Sequence, residues 1–396
     1  MSRAPLTGSA QTGAPLSGSW LSAPGVQQVL GLLNTAGHQA YLVGGCVRNA
    51  LLGTDVSDVD IATDALPERV TALAGAAGLK VIPTGIEHGT VTVLVAGIPH
   101  EVTTFRRDVE TTGRHATVAF STRIEDDAAR RDFTMNALYA DAGGRVLDPL
   151  GSGLDDLAAR HLRFVGDADQ RIAEDYLRIL RFFRFTAWYA DPAEGPDAEG
   201  LAACAAGAEG IETLSRERVG AEMRKLLAAP DPAPAVAAMA ASGVLMRTLP
   251  GADARALAPL VHLEAGQAPR WQRRLAVLGG ADLTAALRLS REEARQIEQL
   301  RDAIGAPDSA ATLGYRLGAV LATDALLARA AVLESPLPPS WQAEVARGAA
   351  AKFPVSAADL MPELRGPALG AALKVLEARW IASGFVLSRT ELLAAR

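Results

Sequence analysis

The hydrophobic pattern changes character once, near Asp148, and that change limits the folds open to this chain. Upstream, short β-branched runs alternate with short helical ones. Gln39–Val43 and Val59–Ala62 read as buried strands. Pro67–Ala77 reads as a helix opened by proline. Gly89–Ala96 and Pro99–Phe105 are β-branched runs separated by Gly97-Ile98, which predicts a hairpin. Phe133–Ala140 and Arg145–Leu147 predict further strands, whereas Arg106–Arg123 holds neither period and reads as a mobile loop. Downstream, Ala, Leu, Arg and Glu recur at helical spacing, with Gly and Pro clusters near 191–196, 229–235, 250–251 and 336–339. No fixed-period repeat is present. The sequence therefore predicts a small α+β head followed by an all-helical region.

Composition excludes several classes. A chain of 396 residues has room for two to four domains, and 49% hydrophobic residues supply a sizeable core. No run of 18 or more apolar residues occurs, so no membrane span is expected. Met1–Ser22 is rich in Ser, Gly, Pro and Thr and lacks the basic start and apolar stretch of a secretory signal, so it reads as a disordered leader. Cys46 and Cys204 lie far apart without metal-ligand spacing, which fits free thiols in a reducing cytoplasm. A net charge of −6 argues against indiscriminate nucleic-acid binding while leaving room for a local basic face.

Two features of the head carry chemistry. Gly44-Gly45 follows the apolar run Tyr41-Leu42-Val43, where glycine lets the backbone turn sharply and approach a phosphate. Cys46–Leu52 reads as a short helix whose first N–H groups face an anion, with Arg48 adding positive charge. Thirteen residues after Gly45 comes Asp58-Val59-Asp60. On a strand, positions i and i+2 share a face, and two carboxylates there repel unless a cation lies between them. Such an arrangement suits Mg²⁺ and two-metal phosphoryl transfer. Glu101, on the second strand of the expected hairpin, is the best candidate for a third carboxylate; a solvent-facing strand residue is the plain alternative.

These residues resemble a known family. Tyr41 to Asn49, Leu51-Leu52-Gly53 and Asp58 to Thr63 are similar to the first motif of the class II tRNA nucleotidyltransferases: CCA-adding enzymes, their CC- and A-adding relatives, and bacterial poly(A) polymerases, within the DNA polymerase β superfamily. Four further motifs follow in the family's order. Arg130 to Ala137 resembles the ribose-sensing motif, and Asp148-Pro149 through Asp156-Leu157 the hinge. Glu174-Asp175-Tyr176-Leu177-Arg178 resembles the base-selecting motif, and Ser215-Arg216-Glu217-Arg218 through Glu222 the last. The resemblance covers about residues 39 to 228. It implies a nucleotidyltransferase head at 25–148 after a leader at 1–24, a helical neck at 149–228, and a helical body and tail at 229–396 that binds tRNA by shape and phosphate contacts. Two Mg²⁺ ions on Asp58 and Asp60, CTP and ATP as substrates, and a tRNA 3′ end are implied with it. Asn49 stands where the family usually has Asp, and Gly151-Ser152-Gly153 makes the hinge one residue longer than usual.

The neck carries a stripe of charge. On a helix, Asp175, Arg178, Arg181 and Arg184 fall about 60° apart and line one half, while Tyr176, Ile179, Leu180 and Phe183 fall on the other. An ordinary solvated face is the plain alternative. Cytosine and adenine each present an amino donor beside a ring-nitrogen acceptor. A carboxylate at Asp175 with a guanidinium at Arg178 complements both. Uracil and guanine present the reverse, at about 1–3 kcal/mol for each unpaired group. The resemblance places this protein-template reading on these two residues. Arg181 and Arg184 continue toward the triphosphate. Arg131 and Asp132 are implied to reach the ribose, a surface ion pair being the alternative, and Gly45 and Arg48 to flank the nucleotide. Ser215 reads as an N-cap, and Arg218 and Glu222 as a structural i,i+4 pair. His88 reads as a turn residue rather than a general base.

Three alternatives compete. Poly(A) addition would use the same head and neck; a chain ending at 396 without a basic tail favours tRNA. A catalytically silent RNA-binding protein would have lost a metal carboxylate. A small-molecule nucleotidyltransferase would not need the base-selecting helix and large helical region. Within the tRNA reading, Gly113-Arg114-His115 in the 106–123 loop leans toward complete CCA or terminal A addition.

Overall fold

The structure is a computed structural model that describes residues 15–112, 115–361 and 363–394, with side chains at 108–118 excepted. Two compact units result. One comprises Met1–Glu222 and Pro234–Thr248, the other Met223–Ala233 and Leu249–Arg396.

The first unit opens with helix α1 (Pro24–Thr35), strand β1 (Ala40–Val43), α2 (Gly45–Leu51), β2 (Asp60–Thr63), α3 (Pro67–Ala76), β3 (Lys80–Gly85), β4 (Thr90–Val95) and β5 (Ile98–Thr104). It continues with β6 (Arg106–Thr112), β7 (His115–Phe120), α4 (Ile124–Ala129), β8 (Tyr139–Ala140) and β9 (Val146–Leu147). A mixed seven-stranded sheet forms in the order β3-β4-β5-β2-β1-β8-β9, and β2 with β5 is its parallel pair. The interior strand β1 is Ala-Tyr-Leu-Val, buried along its whole length, as a strand covered on both faces must be. Leu30 and Leu33 of α1, Leu42, Ile61 and Met135 are fully buried, each contributing about 1.5–3 kcal/mol.

Several expectations needed correction. Residues 15–22, assigned to a disordered leader, lie along the head: Leu16 N–H donates to Gly144 O at 2.8 Å and Leu21 is buried. The first fourteen residues are outside the described set. The hairpin turn falls on Ala96-Gly97, one residue early, with φ of 50° and 82°, the left-handed pair of a two-residue turn matched to strand twist. Arg106–Arg123, taken as a mobile loop, holds the β6–β7 hairpin. Its strands pair through the backbone, and period-2 alternation reports a buried face rather than pairing itself. Phe133–Ala140 is not one strand: Thr134–Asn136 is a 3₁₀ turn, and only Tyr139-Ala140 joins the sheet.

After β9 the chain is helical: α5 (Gly153–Ala158), α6 (Ala168–Glu174), α7 (Leu177–Tyr189), α8 (Ala198–Ala206), α9 (Arg216–Leu227), α10 (Ala233–Ala241) and α11 (Val244–Thr248). Leu180, Phe182, Phe183 and Phe185 of α7 are buried, and Phe133 and Phe164 pack on Phe182.

The second unit holds α12 (Leu257–Leu263), α13 (Trp271–Leu278), α14 (Leu283–Ala286), α15 (Arg291–Gly305), α16 (Ala310–Val332), α17 (Trp341–Ala350), α18 (Gly366–Ala382) and α19 (Arg389–Ala394). α15 starts on a reciprocal Ser290–Glu293 capping box. α16 and α17 meet backbone to backbone at Gly314 and Gly348, where a Cβ would strike main-chain atoms of the other helix. Among the described residues no helix is long and apolar enough to cross a membrane. The architecture is the expected α+β head followed by helices.

Candidate active site

The site builds outward from the end of β1. Gly44 has φ 74° and ψ −121°, a backbone region open to glycine and costly for other residues. A Cβ there would lie 3.2 Å from Arg131 Nη1 and 3.6 Å from Asn136 O. α2 begins at Gly45, and Val43 is in register with Asp60 across the β1–β2 pair. Asp60 is the first residue of β2, while Asp58 lies in the irregular segment before it, not on the strand as expected. The two carboxylates nevertheless interact. The Asp60 carboxyl is raised above its ordinary value by desolvation and by the Asp58 charge, with Arg131 pulling the other way. Glu101 is opposite Asp60 on parallel β5. Its carboxyl is raised by desolvation and by Asp60, with Arg106 opposing.

Among the described residues none of these three carboxylates forms an ion pair, and no group of three His, Cys, Asp or Glu side chains is placed to hold a metal ion together. Two mutually repelling carboxylates with a third on the next strand are hard oxygen donors in need of a cation, a set that fits Mg²⁺.

Arg48 is buried and stacks on Tyr189 at 4.0 Å and Phe185 at 5.1 Å. Its guanidinium donates to Tyr189 Oη at 2.8 Å, to Asn49 Oδ1 at 2.8 Å, and to Asn136 Oδ1. Asn49 Nδ2 donates to Asp55 O at 3.0 Å, tying down the segment that leads to Asp58. A carboxylate at 49 could accept from Arg48 but could not donate to Asp55, which gives the Asn a positive role.

Arg131 donates to Asp127 at 2.9 Å and to Tyr139 Oη at 3.1 Å, and Tyr139 donates to Asp127 at 2.7 Å. Against the lowering effect of burial, Tyr139 and Asp127 hold Arg131 above its ordinary value. Asp132 is saturated: Oδ1 accepts from Phe133 N–H at 2.8 Å and Asn136 Nδ2 at 2.9 Å, and Oδ2 accepts from Arg181 Nε at 2.7 Å. A half-buried Arg131 and a buried Asp132 are thus anchored to separate partners rather than forming a surface ion pair.

The neck departs from expectation. Asp175 is not on the helix with Arg178. It is extended (φ −155°, ψ 103°) at the break between α6 and α7, and its carboxylate accepts from Leu177 N–H at 3.1 Å. The Arg178 guanidinium does not pair with the Asp175 carboxylate; only the backbone N–H of Arg178 meets Asp175, donating to the carbonyl at 2.9 Å. The guanidinium donates to Glu174 at 2.5 Å, Arg171 O at 2.8 Å and Arg130 O at 3.2 Å, while its Nε–H has no acceptor among the described residues. Asp175 pairs instead with Arg218 of α9 at 2.6 Å. Arg184 pairs with Glu222 at 3.2 Å. The expected Arg218–Glu222 pair within α9 is therefore absent; each residue reaches α7 or its approach, because burial of α7 leaves charges there needing partners. Arg48, Arg181 and Arg184 converge on Phe185, at 5.1, 5.2 and 4.5 Å. Sequence reasoning missed Phe185 and Tyr189, whose signal was their spacing on the helix, Phe185 one turn beyond Arg181 and Tyr189 one turn beyond Phe185. His88 is exposed at the end of a short turn, as read.

Acidic residues on the adjacent inner strands β2 and β5, a glycine turn and a guanidinium-rich helical face together define a nucleotidyl-transfer type of site. The family model described as Poly A polymerase head domain matches residues 40–163, and the one described as Probable RNA and SrmB- binding site of polymerase A matches 196–255. A CCA-adding enzyme of Geobacillus thermodenitrificans is 43% identical over 233 residues, 58% of this chain and 55% of that protein. The human mitochondrial CCA tRNA nucleotidyltransferase 1 is 40% identical over 204 residues, 51% of this chain and 47% of its own. The chain spans about half the length of the curated relatives it matches. The solved Bacillus stearothermophilus CCA-adding enzyme in complex with CTP is 31% identical, with a TM-score of 0.71 over 92% of this chain and 94% of that one. A Thermotoga maritima CCA-adding enzyme complexed with tRNA shares the fold, at 17% identity and a TM-score of 0.68. This chain belongs to the CCA-adding enzyme and bacterial poly(A) polymerase family.

Proposed function

We propose that this chain adds C and A to the 3′ end of tRNA from CTP and ATP without a nucleic-acid template. The observation that carries the reading is the set of unpaired carboxylates Asp58, Asp60 and Glu101 beside the Gly44-Gly45 turn, on the same unit as the Asp175–Arg178 neck. Two Mg²⁺ ions on Asp58 and Asp60, with Glu101 as third ligand, would supply activation of the tRNA 3′-hydroxyl and charge neutralisation on departing pyrophosphate. Arg48, Arg181 and Arg184 hold the triphosphate, and Phe185 fixes the planes of all three. Gly45 leaves room for a phosphate. Arg131 and Asp132 hold the ribose, with Asp132 accepting from the 2′-hydroxyl once Arg181 turns toward phosphate.

Asp175 accepts from the amino group of C or A, and the free Nε–H of Arg178 donates to the ring nitrogen. Glu174 and Arg218 keep these two groups apart in the meantime. We assign the head to 25–148, the neck to 149–228, and the body and tail that bind tRNA to 229–396. A cytoplasmic setting fits the two buried free thiols.

The test offers purified protein three tRNAs, ending before C, after C and after CC, with CTP and ATP separately. C enters the first two and A the third. Incorporation into none removes the proposal, incorporation only into the CC-ended tRNA makes it an A-adding enzyme, and long A tracts on any RNA move it to poly(A) synthesis. Asp58→Ala abolishes incorporation by at least a hundredfold, and full activity in that variant would remove the metal assignment.

A further inference from the structure

The second unit carries a cluster of buried charge that the chemistry above does not use. Arg273 and Arg274 are 1% exposed, Asp324 1% and Glu264 4%. Glu264 accepts from Arg273 Nε at 2.6 Å and Arg274 Nη2 at 2.7 Å. Asp324 accepts from Arg273 Nη1 at 2.8 Å and Arg270 Nε at 2.7 Å. The other donors of Arg274 go to the carbonyls of Leu227, Ala229 and Pro230, and Arg273 Nη2 goes to Ala268 O. Three guanidiniums face two carboxylates, so the cluster holds one uncompensated positive charge. Two of the guanidiniums are spent. Arg270 is 31% exposed and bonds only through Nε, and its Nη1 and Nη2 have no acceptor among the described residues.

Those free donors stand at a cavity of about 240 Å³ that Gln267, Arg270, Arg273 and Asp324 line with Val320 and Thr323. The Gln267 side-chain amide and the Thr323 hydroxyl also make no hydrogen bond within the described residues. Asp324 is paired with two guanidiniums, one on each oxygen, which offsets its charge toward an anion. A half-buried surplus cation is costly unless an anion meets it. No aromatic ring lines the cavity, so it offers no stacking platform for a base. The lining residues Ala319 and Val320 directly follow Gly318 (φ 77°, ψ 168°), where α16 is broken, and Val320 is 57% exposed, open to a polymer passing over the surface.

We infer that this cavity is a phosphate site, in which the Arg270 fork with Thr323 and Gln267 grips one phosphate of the tRNA backbone. The planar fork matches two phosphate oxygens. The RNA half of the inference rests on the function proposed above, and the phosphate half does not.

The experiment uses the full chain and three variants: Arg270→Gln, Arg270→Lys and Thr323→Val, the last leaving every ion pair in place. In the first arm, thermal unfolding is followed in inorganic phosphate and in chloride at equal ionic strength. Phosphate raises the wild-type midpoint by a few degrees, about the shift expected for a ligand well above its Kd, and Arg270→Gln and Thr323→Val lose at least half of that rise. In the second arm, tRNA binding is measured against salt. Arg270→Gln weakens it about tenfold and lowers the slope of log K on log salt by about one, and Arg270→Lys keeps the slope but not the affinity. An equal phosphate effect in the wild type and both neutral variants overturns the inference. A phosphate effect lost in the variants with an unchanged tRNA slope overturns the RNA half and leaves a site for free phosphate. If the wild type binds no tRNA, the proposed function falls, and the first arm still decides the phosphate site.

Discussion

Asn49 shows how much one side chain can decide. Its oxygen accepts from a buried guanidinium while its amide ties the approach to Asp58. Asn49→Asp keeps the first bond and loses the second, at about 0.5–1.5 kcal/mol offset by charge beside Arg48. Asn49→Leu loses both and leaves the buried Arg48 short of an acceptor, at about 1–3 kcal/mol. Urea unfolding of the two variants should rank Leu as clearly the more damaging; equal midpoints would mean that the Arg48–Asn49 contact carries no weight. The pairing of Asp175 with Arg218 was beyond sequence reasoning for a related reason, although Arg178 with Glu174 keeps i,i+4 spacing. Helical spacing predicts neighbours only if the helix is continuous, and here it breaks at Asp175.

At the scale of elements, β5 and α1 make a pH-sensitive contact. His100 on β5 is buried under α1, its Nε2 has no hydrogen-bond partner, and a Cβ at Gly25 would run into it. Burial holds the imidazole below its ordinary value of 6.5. The unfolded chain therefore takes up this proton first as the pH falls. The contribution to stability is complete above about pH 6.5 and is lost as the pH drops toward the lower folded value. The unfolding midpoint of the wild type falls between pH 7 and pH 5 more than that of His100→Leu. Parallel curves for the two proteins would contradict a neutral buried His100. The elements themselves were unevenly legible. Tyr41-Leu42-Val43 and Pro67–Ala76 announce themselves through burial and a proline start. The β6–β7 hairpin did not, since its residues hold no alternation, and Phe133–Ala140 misled because an apolar run buries equally well in a 3₁₀ turn.

At the scale of the whole molecule, the change of period at Asp148 foretold the α+β head and the helical remainder, and the motif order foretold which family the chain joins. The buried ion cluster of the second unit was not legible, because its five members lie 60 residues apart from Glu264 to Asp324 and hold no spacing in common. Arg274 joins that cluster to the carbonyls at 227–230 within one compact unit. Arg274→Met strips Glu264 of one partner and leaves three carbonyls unmet, at about 3–5 kcal/mol. Equilibrium unfolding in urea should show that loss, and a shift below about 1 kcal/mol would make the cluster ornamental.

The central claim is that the protein itself chooses the base. Its most direct measurement is single-turnover incorporation of CTP against UTP on a tRNA ending before the first C, by the wild type and by Asp175→Ala. The account predicts strong rejection of UTP by the wild type and a loss of at least tenfold in that discrimination in the variant, about 1.4 kcal/mol for one mispaired polar contact. Discrimination that is unchanged in Asp175→Ala, with C still entering, would contradict it.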